Sequence, residues 1–214
     1  VSYDLWLIPA DRCPTPEAAY AHGSATLDTD TSNDPHAQRL ADAVSTASER
    51  SGEDGFLSVA PIDAEGDCVF VPSPYSSIQE ARDAVVPLAF AAGFAVYDPQ
   101  NGLLLDPRRA IPARMTTHRD GTFDVLSPES VDFFVSRMAV DDFVIVETAL
   151  NTYMQSRRDA DDVFALEYRA GSADRHFATE VPTAAHVASA MHGWLTGNDS
   201  PYRDHAWKRL DLTP

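Results

Sequence analysis

The chain opens on an alternation. Over residues 2–8, Tyr3, Leu5 and Leu7 fall on one face of an extended segment and Asp4, Trp6 and Ile8 on the other; Pro9 closes it. Pro14 and Pro16 start a short helical turn through Tyr20, and the polar run 23–34 reads as a loop. Asp34-Pro35 then supplies an N-cap followed by proline at the first helical position, and Leu40, Ala43, Val44 and Ala47 recur at helical spacing over 35–50. SGEDG at 51–55 breaks that helix. Residues 56–60 and 68–71 read as two strands joined by an acidic connection. Ser77 to Glu80 has the form of a capping box, opening a helix that turns Ile78, Ala81, Val85 and Leu88 inward, with Pro87 placed to kink it. Strands at 94–97 and 103–105 complete the half.

The order β-α-β-β-α-β predicts a ferredoxin-like sandwich over 1–108, with two helices on one face of an antiparallel sheet and the extra short strand at its edge. The proline-rich, charged stretch 106–112 marks the boundary. In 109–214 an arm (113–121) and a short strand (122–126) precede Ser127-Pro128, which opens a helix with Val131, Phe134, Val135 and Met138 on one stripe. A meander follows within 142–177: an apolar run 143–146 ending at Glu147, an alternating strand 151–156, a charged turn 157–162, a strand 163–169 and a turn at 170–174. Val181-Pro182 opens a helix bearing Val187, Ala190, Met191, Trp194 and Leu195, which Gly197 ends; a loop and a closing strand 205–212 around Trp207 finish the chain. The class is α+β in two small domains, the second an antiparallel sheet flanked by two helices.

The polar residues of the meander carry the functional argument. Glu147, Gln155, Glu167, Arg169 and His176 sit on strands whose other residues favour burial, so each must be paired or stand at a wet surface. They form either an internal Glu–Arg network or a polar face for a partner; the second is the working expectation. Tyr153 and Trp207 add aromatic anchors of the kind that dominate interfaces.

Charge narrows the partner. The net charge is −17, and residues 1–110 hold 6 basic against 17 acidic side chains where 111–214 hold 10 against 16. Both halves repel phosphate, which argues against nucleic acid; acidity suits a basic protein and speeds its association. Glu53, Asp54, Asp63, Glu65 and Asp67, on the acidic loop 53–67, join the candidate surface. No apolar run reaches the roughly 18 residues that span a bilayer, and VSYDLWLIPA lacks a basic leader, so the expectation is a cytoplasmic protein without membrane contact.

Chemistry leaves little. Cys13 and Cys68 form no paired motif. His186 and His192 lie about 120° apart around a helix, and no HxH or HExxH occurs, so no metal or cofactor is expected. There is no GxSxG elbow and no glycine-rich phosphate loop. An acid–base alternative rests on Glu147 and Glu167 flanked by His176 and Arg169; against it, arginines would neutralise the carboxylates in a structural network.

Two stretches carry a resemblance. SYDLWL and FAVYDPQNGLL resemble the N-terminal module of actinobacterial proteins, and FVIVETALNTYMQS, FALEYRAGSADRHF and the later tryptophan resemble an α+β module of immunity proteins in bacterial polymorphic toxin systems. The resemblance implies a non-enzymatic inhibitor that binds a cognate toxin domain, a nuclease or deaminase, through some of Glu147, Tyr153, Gln155, Glu167, Tyr168, Arg169, Gly171, His176 and Trp207.

Overall fold

β1 (Tyr3–Pro9) lies between β3 (Cys68–Ser73) and β4 (Phe94–Asp98) in an antiparallel sheet whose edges are β2 (Ala64–Glu65) and β5 (Leu103–Leu105), in the order β2-β3-β1-β4-β5. The computed structural model describes residues 2–29, 32–52 and 55–210, and the chain divides into two compact units, Val1–Ala110 and Ile111–Pro214. Among the described residues there are six α-helices and two antiparallel sheets, an α+β protein.

In the first unit the alternation of β1 is real, but both faces are covered. Leu5 and Leu7 are at most 1% exposed, on the face that receives α2 (Pro35–Arg50) and α3 (Ile78–Ala91). His36 of α2 packs its ring on Phe94, and the phenol of Tyr3 meets Arg82 of α3. Trp6 and Ile8 face α1 (Pro16–Leu27). Trp6 is boxed by Tyr20, Phe70 and Tyr97 at ring separations of 5.9, 5.3 and 5.7 Å. Gly23 lets the helix approach, since a Cβ there would stand 2.4 Å from Trp6 Cε3.

The second unit carries a seven-stranded sheet. β6 (Arg114–Thr117), β7 (Gly121–Phe123), β8 (Phe143–Ala149), β9 (Thr152–Ala160), β10 (Val163–Ala170), β11 (His176–Val181) and β12 (Lys208–Arg209) are ordered β12-β11-β10-β9-β8-β6-β7. Asn151 and Asp162, both at φ 57°, make the tight turns on either side of β9. Met115, Val146, Met154 and Leu166 are fully buried on the face covered by α4 (Pro128–Ser136) and α5 (Ala184–Thr196). Phe123 packs on Phe134 of α4 at 4.8 Å, and Tyr168 on Trp194 of α5 at 5.6 Å. A short α6 (Ser200–Arg203) follows.

Several elements depart from the sequence pattern, each for a local reason. The polar run after residue 22 continues α1 to Leu27, because packing of Gly23 on Trp6 overrides weak propensity. Residues 56–60 are not a strand: the amides of Phe56 and Leu57 donate to Ser48 Oγ and that of Ile62 to Ser45 Oγ, so α2 claims them. Ser77 makes no cap hydrogen bond, and a 3-10 turn Tyr75–Ser77 leads into α3, which continues through Pro87 to Ala91. With α1 on the opposite face, the helices of this unit do not all share one side. Arg157 to Ala160 extend β9, leaving Asp161-Asp162 as the turn. The arm contains β6, and the loop after Gly197 contains α6. Of 205–212 only Lys208–Arg209 pair with β11, and Asp211 and Leu212 lie outside the described residues.

Gly23→Ala sets two effects against each other. Alanine favours a helix by about 1 kcal/mol over glycine, whereas overpacking costs about 1–3 kcal/mol. With Trp6 hemmed in by three rings, overpacking wins. Urea unfolding followed by tryptophan fluorescence should show a lower midpoint for Gly23→Ala; an unchanged or raised midpoint would mean that the ring shifts freely.

Candidate functional site

The face of the second sheet away from α4 and α5 holds the polar residues of the meander. Register fixes this. Arg114, Glu147, Tyr153, Arg169 and His176 are successive cross-strand partners, and Ile145, Gln155 and Glu167 form the next row. Directly opposed residues in an antiparallel pair point to the same side. Six sequence-selected residues therefore share one face: Glu147, Tyr153, Gln155, Glu167, Arg169 and His176.

At its centre Glu167 Oε2 accepts from Gln155 Nε2 at 2.8 Å and pairs with His176 Nε2 at 3.1 Å. With the carboxylate as acceptor, His176 carries a proton on Nε2. The Tyr153 ring stands edge-on to His176 at 5.9 Å. His176 is only 5% exposed. Its Nδ1, and Nε of the cross-strand neighbour Arg169, are buried without a hydrogen-bond partner among the described residues. Each such atom costs about 1–3 kcal/mol. Beside this network Phe143, Ile145, Ala165 and Arg157 join Gln155 and Glu167 around a hollow of about 290 Å³. The arrangement is an apolar floor with a hydrogen-bonding rim.

Other selected residues lie elsewhere. Glu147, though on the same face, lines a different hollow with Arg114 and Leu150. Leu150, at the β8–β9 turn, is 86% exposed. Trp207 belongs to the helix side: its Nε1 donates to the Tyr202 carbonyl at 2.6 Å and its ring meets Tyr168 at 4.7 Å. In the first unit Asp63 accepts from Gln38 at 3.1 Å, Glu65 is exposed on β2, and Asp67 pairs with His22 at 2.9 Å. Glu53 and Asp54 lie outside the described residues.

Three clusters had no local signal in the sequence. The buried Asp142 carboxylate accepts from the Ala139 amide at 2.7 Å, His118 Nδ1 at 2.8 Å and Arg119 Nε at 2.9 Å. In the first unit Tyr3 donates to Asp98, and Asn101 Nδ2 reaches both, at 2.8 and 2.9 Å. Burial, then the Asp98 charge, pushes the Tyr3 phenol up, away from any role as a base. The third is His22, Asp67 and Cys68, whose donor atoms lie within 4.8 Å of one another and are the ones among the described residues that could hold a metal. Burial pushes both thiols, Cys13 and Cys68, up to about 12, so neither is an activated nucleophile. His118 and Asp142, 24 residues apart, and Tyr3 and Asp98, 95 apart, leave no spacing to read.

Comparison with protein-family models, curated proteins and solved structures finds no match to this chain. The functional reading therefore rests on geometry.

Asp142 yields a pH prediction. Burial pushes its carboxyl up, but the Ala139 amide, His118 and Arg119 more than offset this and hold it below the usual carboxylate range. A depressed folded pKa stabilises above the unfolded value, about 3.9, and that contribution is lost as pH falls through the folded value. Asp142→Asn should lower the unfolding free energy at pH 7, measured in urea, by roughly 1–3 kcal/mol, and the gap to the unsubstituted chain should close under acid. A gap unchanged at low pH would exclude the charge as its source.

Proposed function

We propose that this protein is a non-enzymatic binder of the immunity type, which seats a basic toxin domain on the open face of its second sheet and so occludes the toxin's active site. The observation that carries the reading is the uncovered apolar floor at Phe143, Ile145 and Ala165 beside the Gln155–Glu167–His176 network. Seven strands at about 4.8 Å spacing give a face roughly 30 Å across and, at about 3.3 Å per residue, roughly 25 Å tall along its longest strands. That outline, roughly 700 Å², is near the about 800 Å² that each partner contributes to a standard interface. Net charge selects the partner's sign, since a chain at −17 attracts a cationic domain from a distance. The reading places the protein in the cytoplasm of the toxin-producing cell. It also takes the first unit as a ferredoxin-like sandwich, supported by the strand order β2-β3-β1-β4, with α1 on the opposite face as its departure.

The acid–base alternative keeps one supporting observation, the Glu167–His176 pair beside a hollow. It drew on Glu147 as well, and Glu147 lines a separate hollow two strands away.

The test is recovery of the partner from the producing strain with the tagged chain, at low and high salt, followed by reconstitution with the purified toxin domain. The complex should form at low salt and weaken at high salt, as the Debye length shrinks from about 10 Å at 0.1 M to about 3 Å at 1 M. Ile145→Arg should weaken binding at least about tenfold, or about 1.4 kcal/mol, and abolish toxin inhibition with an unchanged melting temperature. Full affinity in Ile145→Arg would remove the sheet face from the interface.

A further inference from the structure

We propose that His22, Asp67 and Cys68 form a binding site for a divalent ion of the zinc class, with the fourth tetrahedral position open to the neighbouring cavity. The site is in the first unit and is independent of the reading of the second sheet.

The fold brings the donors together from three places. His22 and Thr26 lie one turn apart on α1, which is held against the sheet by the Gly23–Trp6 contact. Asp67 sits in the tight turn between β2 and β3, after Gly66 at φ 57°. Cys68 is the first residue of β3 and turns its sulfur toward α1. His22 Nε2 is 2.9 Å from Asp67 Oδ1, Asp67 Oδ1 is 3.5 Å from Cys68 Sγ, and all three donor atoms lie within 4.8 Å of one another.

The two separations to Asp67 Oδ1 are near those that one ion needs. Zinc bonds of about 2.0 Å to nitrogen and oxygen and about 2.3 Å to sulfur place tetrahedral ligands about 3.3 Å apart for the N–O pair and about 3.5 Å for pairs involving sulfur. The oxygen–sulfur distance already has this value, and the nitrogen–oxygen pair needs to open by a few tenths of an ångström. The Cys68 thiol donates to the same Asp67 oxygen that meets His22, so the three donor atoms converge on one point. Nitrogen, carboxylate oxygen and thiolate together select zinc or cobalt over magnesium or calcium, which bind oxygen. Thr26 ties the two sides of the site together: its hydroxyl donates to the His22 carbonyl at 3.0 Å and accepts from Cys68 Sγ at 3.7 Å. A cavity of about 490 Å³, lined by His22, Thr26, Gly66 and Asp67, opens beside the trio and gives a path for the ion and room for a fourth ligand. His22 and Asp67 keep 27% and 34% side-chain exposure, so the ion enters past them while the sulfur lies behind.

The experiment is a Co²⁺ titration of the full chain, followed optically, with Zn²⁺ as competitor. The proposal expects one equivalent of Co²⁺, a thiolate-to-cobalt charge-transfer band, intense tetrahedral d–d bands, displacement by Zn²⁺ and none by Mg²⁺. Cys68→Ser should abolish the charge-transfer band and Cys13→Ser should retain it. His22→Gln and Asp67→Asn, both at partly exposed positions, should each weaken binding at least about tenfold; these two decide the matter if Cys68→Ser fails to fold. A weak octahedral spectrum without charge transfer, full affinity in both surface variants, or loss of the band in Cys13→Ser would each overturn it.

Discussion

Side chains alternate along a strand, so every sheet has two faces, and each must be covered or given a reason to stay wet. The two units meet this constraint differently. In the first, helices lie on both faces, and β1 answers with leucines on one side and Trp6 and Ile8 on the other. Covering the Trp6 face depends on Gly23, because only a residue without a side chain lets α1 lie against the ring. In the second unit α4 and α5 take one face and leave the other open. That asymmetry makes the open face the place to look for function, since a half-buried Ile145 beside Glu167 is stable without being fully used.

The legible parts of the sequence were those in which local and global preferences agree. Asp34-Pro35 capped α2 as its residue types require, with Asp34 Oδ1 accepting from the His36 and Ala37 amides. The meander's alternation placed Met154 in the core and put Gln155 and Glu167 together on the other face. Failures came where a distant side chain decided the outcome. Ser45 and Ser48, polar residues on a helix, hold the backbone of 56–62 and deny it a strand. Trp207 looked like an anchor, yet its indole closes the C-terminal turn against Tyr168 and Tyr202. Tertiary pairs such as Asp142 with His118 have no periodicity, so no pattern along the chain announces them.

Net charge and local charge also have to be kept apart. A value of −17 argues for a cationic partner at long range, where the whole molecule's field acts. On the open face itself Glu147, Glu167 and Glu180 stand among Arg114, Arg157 and Arg169, so the local potential is mixed. For the cationic partner proposed above, the acidic field would govern encounter rate, and the pattern of individual donors and acceptors would govern fit. Surface ion pairs are worth only about 0–1 kcal/mol each, whereas a buried donor or acceptor left unmatched costs about 1–3 kcal/mol. By that comparison the unmatched His176 Nδ1 and Arg169 Nε weigh more in the stability of this unit than the more numerous exposed ion pairs.

The same reasoning separates the two candidate sites by what each lacks. The sheet face has its side-chain network in place, with Glu167 already satisfied by Gln155 and His176, and lacks only a complementary surface. The His22–Asp67–Cys68 trio brings three donors of different hardness within 4.8 Å of one another. A protein surface cannot reach the buried sulfur of Cys68, and a single ion cannot fill a face of roughly 700 Å². The two proposed sites thus differ in the size of occupant that each fits, and Asp67, selected in the sequence for its charge, stands beside His22 and Cys68.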